Sequence, residues 1–160
     1  MTTETVREGY RHCQQVTRAA ARNFYCAFIT LPRPQRMAIY AAYAFARICD
    51  DIADDDLAPL EKARRLAEVR RDLHTACQGQ PRGPVFSALG DVVSRYSVPE
   101  RYLQDIIKGV EMDLTITRYE DFPALMEYCR HVASAVGLIC TRIFGGADAS
   151  LEPLASDLGV

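Results

Sequence analysis

The 160-residue chain is 49% apolar and 25% charged, with a formal net charge of −2 and a pI near 5.9. That balance suffices for one buried core and leaves no basic excess for a phosphate backbone, so nucleic acid is excluded as the expected partner. The longest apolar run, 37–46, is half of what a bilayer span needs, and the polar opening 1–12 has no apolar h-region, so neither a transmembrane helix nor a signal peptide is expected.

Helical periodicity dominates, and no pair of alternating segments flanks a tight turn, which predicts an all-α chain. A first helix is expected over 4–27, ending near Leu31-Pro32-Arg33-Pro34, where two prolines remove backbone donors. A second runs over 34–55. Pro59, with Asp56 upstream, opens a third that reaches Cys77 as an amphipathic surface helix. The stretch 78–84 reads as a loop and 85–96 as a short helix. Ser97-Val98-Pro99-Glu100 has the form of a capping box opening a helix to about 115. Asp121 caps a helix over 122–144 that stops at Gly145-Gly146, and Ser150 caps one more that is still in progress at Val160. No linker or repeat divides the chain, so 1–160 is one domain. The six cysteines form no C-x-x-C pair and sit in apolar segments, which predicts buried thiols in a reducing cytoplasm.

Five aspartates fill seven positions from Asp50 to Asp56, at the carboxyl end of the second helix. The helix dipole disfavours each by a few tenths to about 1 kcal/mol. Asp50 and Asp54 lie one turn apart, where like charges at about 6 Å repel by roughly 2–3 kcal/mol at an effective dielectric of 20. Divalent cations would offset this, and hard carboxylate oxygens without histidine or thiol partners favour Mg²⁺ bridging to phosphate. An EF-hand fails on spacing, since Ile52 and Asp55 occupy its third and sixth positions. The plain alternative is a solvated acidic helix end that binds nothing. Tyr43, Arg47, Asp50 and Asp54 fall on one face at i, i+4, i+7 and i+11, which points to the wall of a cavity. Arg47 has its own alternative, an internal salt bridge to Asp51 or Asp50. Downstream, Tyr128, Val132, Ala135 and Ile139 have the spacing of ordinary core, His131 reads as a surface or satisfied core histidine, and Asp113 as a partner for Arg118.

The segment 40–54 resembles the first aspartate-rich motif of the squalene and phytoene synthase family. Asn23-Phe24-Tyr25-Cys26-Ala27-Phe28 with Leu31-Pro32 is similar to the family's N-terminal substrate segment, although Arg22-Asn23 stands where a small hydroxyl residue is usual. Met112-Asp113-Leu114, Arg118-Tyr119 and the stretch 128–137 resemble its central helices. The resemblance implies an isoprenoid synthase-type helical bundle around a central cavity, and head-to-head condensation of two prenyl diphosphates. It implies Mg²⁺ on Asp50, Asp54 and Asp51, with Mn²⁺ as a substitute, and NADPH where squalene is the final product. Tyr43, Arg47 and Tyr128 would be catalytic. Asn23, Phe24, Val132, Ala133 and Gly137 would join them in binding substrate.

Farnesyl diphosphate is favoured over geranylgeranyl diphosphate, in the manner of the bacterial presqualene diphosphate or squalene synthases of the hopanoid route. The family's second aspartate-rich motif is expected after 155–160, where the sequence ends, so the 160-residue piece is expected to bind substrate weakly without turnover. A non-catalytic assembly factor of the same fold is the competing class, and it would be expected to lose Arg47 or the aspartates. An apolar product would keep a cytoplasmic enzyme near the inner face of a membrane. The oligomeric state is not legible.

Overall fold

A computed structural model describes residues 2–145 and 150–157, all of whose regular elements are helical. In chain order they are α1 (Thr3–Ala20), α2 (Arg22–Phe28), α3 (Arg33–Asp54), α4 (Pro59–Cys77), α5 (Gly83–Tyr96), α6 (Glu100–Asp113), α7 (Phe122–Cys129), a π turn (Arg130–Ser134), α8 (Ala135–Ile143) and α9 (Leu151–Asp157). The all-α reading holds for the described residues.

The 22-residue α3, about 33 Å long, is the axis of the bundle. Its alanines Ala38, Ala41 and Ala44 are fully buried together with Tyr40, Phe45 and Cys49, and small side chains there let α1, α5, α6 and α8 approach its backbone. Phe45 meets Phe86 of α5 edge to face at 6.3 Å. On the outer side, α4 buries Leu66, Val69, Leu73 and Ala76 and turns an Arg64–Glu61–Glu68 ion network to solvent. Among the described residues no helix is long and apolar enough to cross a membrane.

Four expectations need correction. The helix expected over 4–27 is two, because Ala21 leaves helical geometry at φ −142°, ψ 71°. The break re-aims α2, so that Tyr25 stacks on Tyr40 at 5.4 Å and Phe24 reaches Tyr43 at 6.2 Å. Ser97 is no N-cap. It adopts the left-handed conformation, φ 51°, and closes α5 in a Schellman-type turn in which the Val98 amide donates to the Val93 carbonyl. Burial of Val98 at 3% exposure holds that turn, while the Glu100 carboxylate turns to Gln104 and His74. The helix over 122–144 is interrupted by the π turn. The cysteines also divide: Cys13 and Cys49 are buried, whereas Cys26 is exposed on α2. The expected stop at Gly145-Gly146 and the lead-in at 155–160 lie partly outside the described residues.

Asp121 does cap α7, its carboxylate accepting from the Ala124 amide at 2.8 Å. The Asp121→Ala variant should cost about 1 kcal/mol, read as a lower urea midpoint at unchanged slope.

Candidate active site

Two recesses lie end to end along α3. The first is apolar, about 150 Å³, with Phe24 and Phe28 of α2, Tyr43 and Ala46 of α3, Ile106 of α6 and Val136, Ile139 and Cys140 of α8 among its lining residues. That volume is below the roughly 300–1,000 Å³ of complete ligand pockets. Phe24 is 56% exposed and Val136 43%, a cost in apolar surface that a hydrocarbon ligand would remove.

The second recess, about 330 Å³, is charged and is lined by Arg47, Asp50, Ala53 and Asp54 of α3 with Val110, Asp113 and Leu114 from the end of α6. Helical geometry makes the junction: Tyr43 and Arg47 are one turn apart, so the polar recess starts about 6 Å along the axis from the apolar one. Arg47 pairs with Asp51 at 2.6 Å, the internal salt bridge allowed for above, and that charge pushes its pKa up.

Compensation for the acidic helix end is uneven. Lys62 donates to the Ala53 carbonyl at 2.6 Å and Arg65 pairs with Asp55 at 3.3 Å, so α4 neutralises the outer side of the α3 terminus. Asp50 and Asp54 make no ion pair among the described residues. The Asp50 carboxyl is raised above the usual carboxylate range, first by burial, then by Asp54, Asp51 and Asp113, with Arg47 opposing.

Asp113 lies across from these aspartates on α6. Among the described residues it makes no ion pair with Arg118; burial first, then the neighbouring Asp113 carboxylate, push the Tyr128 phenol up to about 12, so it keeps its proton at neutral pH. Tyr119 packs on Tyr128 at 5.2 Å, and its hydroxyl is buried without a hydrogen-bond partner. His131 is 7% exposed; its Nδ1 is hydrogen-bonded to Asp105 at 3.1 Å, whereas its Nε2, 3.3 Å from Glu127, is buried without a hydrogen-bond partner among the described residues.

The structure thus brings together Phe24 and Tyr43 on the apolar recess, and Arg47, Asp50 and Asp54 on the charged one, with Tyr128 reached through Asp113. Asn23 is exposed beside Phe24 on α2, and Ala133 is half-buried in the π turn. Val132 packs on Gly109 of α6, whose missing side chain makes the room: a Cβ there would meet Val132 at 2.5 Å. Gly137 faces the Ala155 carbonyl of α9 for the same reason, at 2.9 Å from a Cβ. Sequence reasoning missed Val136 and Cys140, because the π turn rotates α8 relative to a continuous 3.6-residue helix. It also withheld a role from Asp113, whose position opposite α3 has no signature in spacing.

The donor set suits a hard cation. Carboxylate oxygens of Asp50, Asp54 and Asp113 border one recess whose only lining cation, Arg47, is committed to Asp51. Among the described residues no three His, Cys, Asp or Glu side chains are grouped to hold an ion by themselves. A cation such as Mg²⁺ would need water or phosphate oxygens to complete its shell there.

The chain is 37% identical over 155 residues to phytoene synthase of Mycobacterium tuberculosis, covering 97% of this chain and 51% of that protein. It is 33% identical over 138 residues to 15-cis-phytoene synthase of Synechococcus elongatus, covering 86% and 45%. The structure superposes on a dehydrosqualene synthase in complex with ligand with a TM-score of 0.86 at 28% identity, covering 98% of this chain and 54% of that one. It superposes on squalene synthase HpnC from Alicyclobacillus acidocaldarius at 0.88 and 27%, covering 97% and 58%. The chain spans about half the length of the curated relatives it matches. The squalene/phytoene synthase family profile matches residues 17–160, and the chain belongs to that family.

Proposed function

We propose that the protein containing this chain condenses two prenyl diphosphates head to head, after Mg²⁺-assisted departure of an allylic diphosphate. The observation that carries the reading is the placement of an aromatic, apolar recess one helical turn from a carboxylate-lined polar one on the same helix. A prenyl diphosphate has the same division, a hydrocarbon chain ending in a multiply charged head. Mg²⁺ bound at Asp50 and Asp54, with Asp51 nearby, would supply electrostatic stabilisation of the leaving group.

The chain's own residues supply the remainder. Arg47 releases or shares Asp51 to meet the diphosphate, exchanging one anion for a more highly charged one. Phe24 and Tyr43 offer ring faces to positive charge developing on the allylic carbons and keep water from it. Tyr128, kept protonated beside Asp113, would offer a hydrogen bond at the polar end. A non-catalytic assembly role is disfavoured, because Arg47, Asp50 and Asp54 are all present and share one recess.

The relatives called phytoene synthase, at higher identity than the dehydrosqualene synthase and squalene synthase structures, support geranylgeranyl diphosphate as substrate; the farnesyl reading comes second. Incubation of the protein from its complete reading frame with each diphosphate tests both. Diphosphate release and an extractable hydrocarbon should appear with Mg²⁺, recover partly with Mn²⁺, and vanish in EDTA. A product from farnesyl diphosphate that changes on adding NADPH would favour the squalene reading. Turnover undiminished in EDTA would refute the metal role.

A further inference from the structure

At the far end of α3 lies a cleft of about 330 Å³ that the proposed reaction does not use, formed by α1, the start of α3 and the end of α5. Its rim carries Arg7, Arg11, Arg33 and Arg95, four guanidiniums in a chain whose net charge is −2. Only Arg95 is partnered: it lies 3.3 Å from Asp91, whose carboxylate also accepts from the Tyr10 hydroxyl at 2.7 Å. Among the described residues Arg7, Arg11 and Arg33 make no ion pair or hydrogen bond. Arg7 and Arg11 are like charges one turn apart, an arrangement that disfavours α1 unless an anion relieves it. The first turn of α3 has no side-chain cap, so its dipole adds positive potential beside Arg33.

The interior is of the opposite character. Val6, Tyr10, Pro34 and Met37 form an apolar floor beneath the arginines. Inorganic phosphate alone would leave that floor wet, and a plain hydrocarbon would leave the arginines unmatched. Planar guanidiniums fit phosphate oxygens in pairs. Met37 and Asp50 are thirteen residues apart on one helix, about 20 Å, so this cleft is separate from the carboxylate-lined recess.

We propose that this arginine-rimmed cleft binds a phosphate-bearing amphiphile, with the phosphate at the arginines and the first part of its hydrocarbon on the Tyr10–Met37 floor. Two sources share that chemistry: the headgroup of an anionic phospholipid in a bilayer, and a free prenyl phosphate.

The test uses the protein from its complete reading frame, an Arg7→Gln/Arg11→Gln double variant, and an Arg64→Gln/Arg71→Gln variant on α4 that removes the same charge elsewhere. All four arginines are exposed, so folding is checked by circular dichroism and unchanged Tm. In the bilayer arm, flotation is measured with phosphatidylcholine vesicles and with vesicles containing phosphatidylglycerol. In the soluble arm, farnesyl monophosphate is titrated in EDTA, which denies the acidic recess its metal.

A bilayer ligand predicts binding to the phosphatidylglycerol vesicles alone, weakened about thirtyfold in the Arg7/Arg11 variant and severalfold at most in the α4 variant. A soluble ligand predicts saturable farnesyl monophosphate binding with the same dependence on Arg7 and Arg11. Equal losses in the two double variants, binding to neutral vesicles as strong as to anionic ones, or no binding in either arm would each overturn the proposal.

Discussion

The Asp50→Asn and Asp54→Asn variants should each lose turnover by about a thousandfold or more, about 4 kcal/mol of transition-state stabilisation, while folding more stably than the parent. The opposite signs follow from one arrangement. Both carboxylates sit at the negative end of α3, one turn apart, with Asp113 across the recess and the only nearby arginine paired to Asp51. Neutralising one removes its dipole penalty of up to about 1 kcal/mol together with its repulsion from the neighbouring carboxylates. A residue kept for packing would lose stability on substitution, and a solvated acidic helix end would lose no activity.

The pH dependence has a definite sign. The folded-state pKa of Asp50 is raised above its ordinary 3.8, so the native chain holds that proton more tightly than the unfolded chain. The stability this contributes is complete below the unfolded value and is lost as pH rises through the higher folded one. Asp50→Asn should flatten that decline, seen by denaturant titrations between about pH 3 and 7, and bound Mg²⁺ should oppose it by stabilising the ionised form. Near-normal turnover in either variant would sink the metal assignment.

How much of this was legible in the sequence depends on whether a feature is local. The axis helix was readable, because its apolar spacing, its opening at Pro34 and the stripe Tyr43–Arg47–Asp50–Asp54 all follow from a 3.6-residue period. Asp121 was readable as a cap because its carboxylate serves an amide three residues on. Ala21 was not: alanine is the best helix former, and the break there answers to the stacking of Tyr25 on Tyr40, a contact fifteen residues away. Ser97 misled for a related reason. Its side chain suits an N-cap, but burial of Val98 decides the backbone, and the residue before it must end α5. Asp113 joined the site only through the packing of α6 against α3, and Val136 only through the π turn. The charged half of the candidate site was therefore mostly written in one helix, while the apolar half was assembled from four.

The Gly9→Ala variant should be among the most destabilising single substitutions at a glycine of this chain, although alanine is the better helix former by about 1 kcal/mol. Gly9 is where α1 crosses α5. A Cβ at that position would lie 2.4 Å from the Pro84 carbonyl oxygen and 3.0 Å from the Ala88 amide nitrogen. Both are backbone atoms that no rotamer change can move, so α1 must shift as a body, at an overpacking cost of up to about 3 kcal/mol. The propensity gain offsets part of this, leaving a net loss of about 2 kcal/mol and a Tm lower by about 4–8 °C. At Gly90 the nearest backbone oxygen, that of Ala76, stands 3.0 Å from a Cβ, so Gly90→Ala should cost clearly less. The displacement would also part Tyr10 from Asp91 and spread the Arg7–Arg11 side of the arginine-rimmed cleft from Arg95. Gly9→Ala should accordingly weaken phosphatidylglycerol binding, or farnesyl monophosphate binding if that is the ligand, without adding or removing a charge. A Gly9→Ala protein as stable as the parent would mean that α1 does not cross α5 at this glycine.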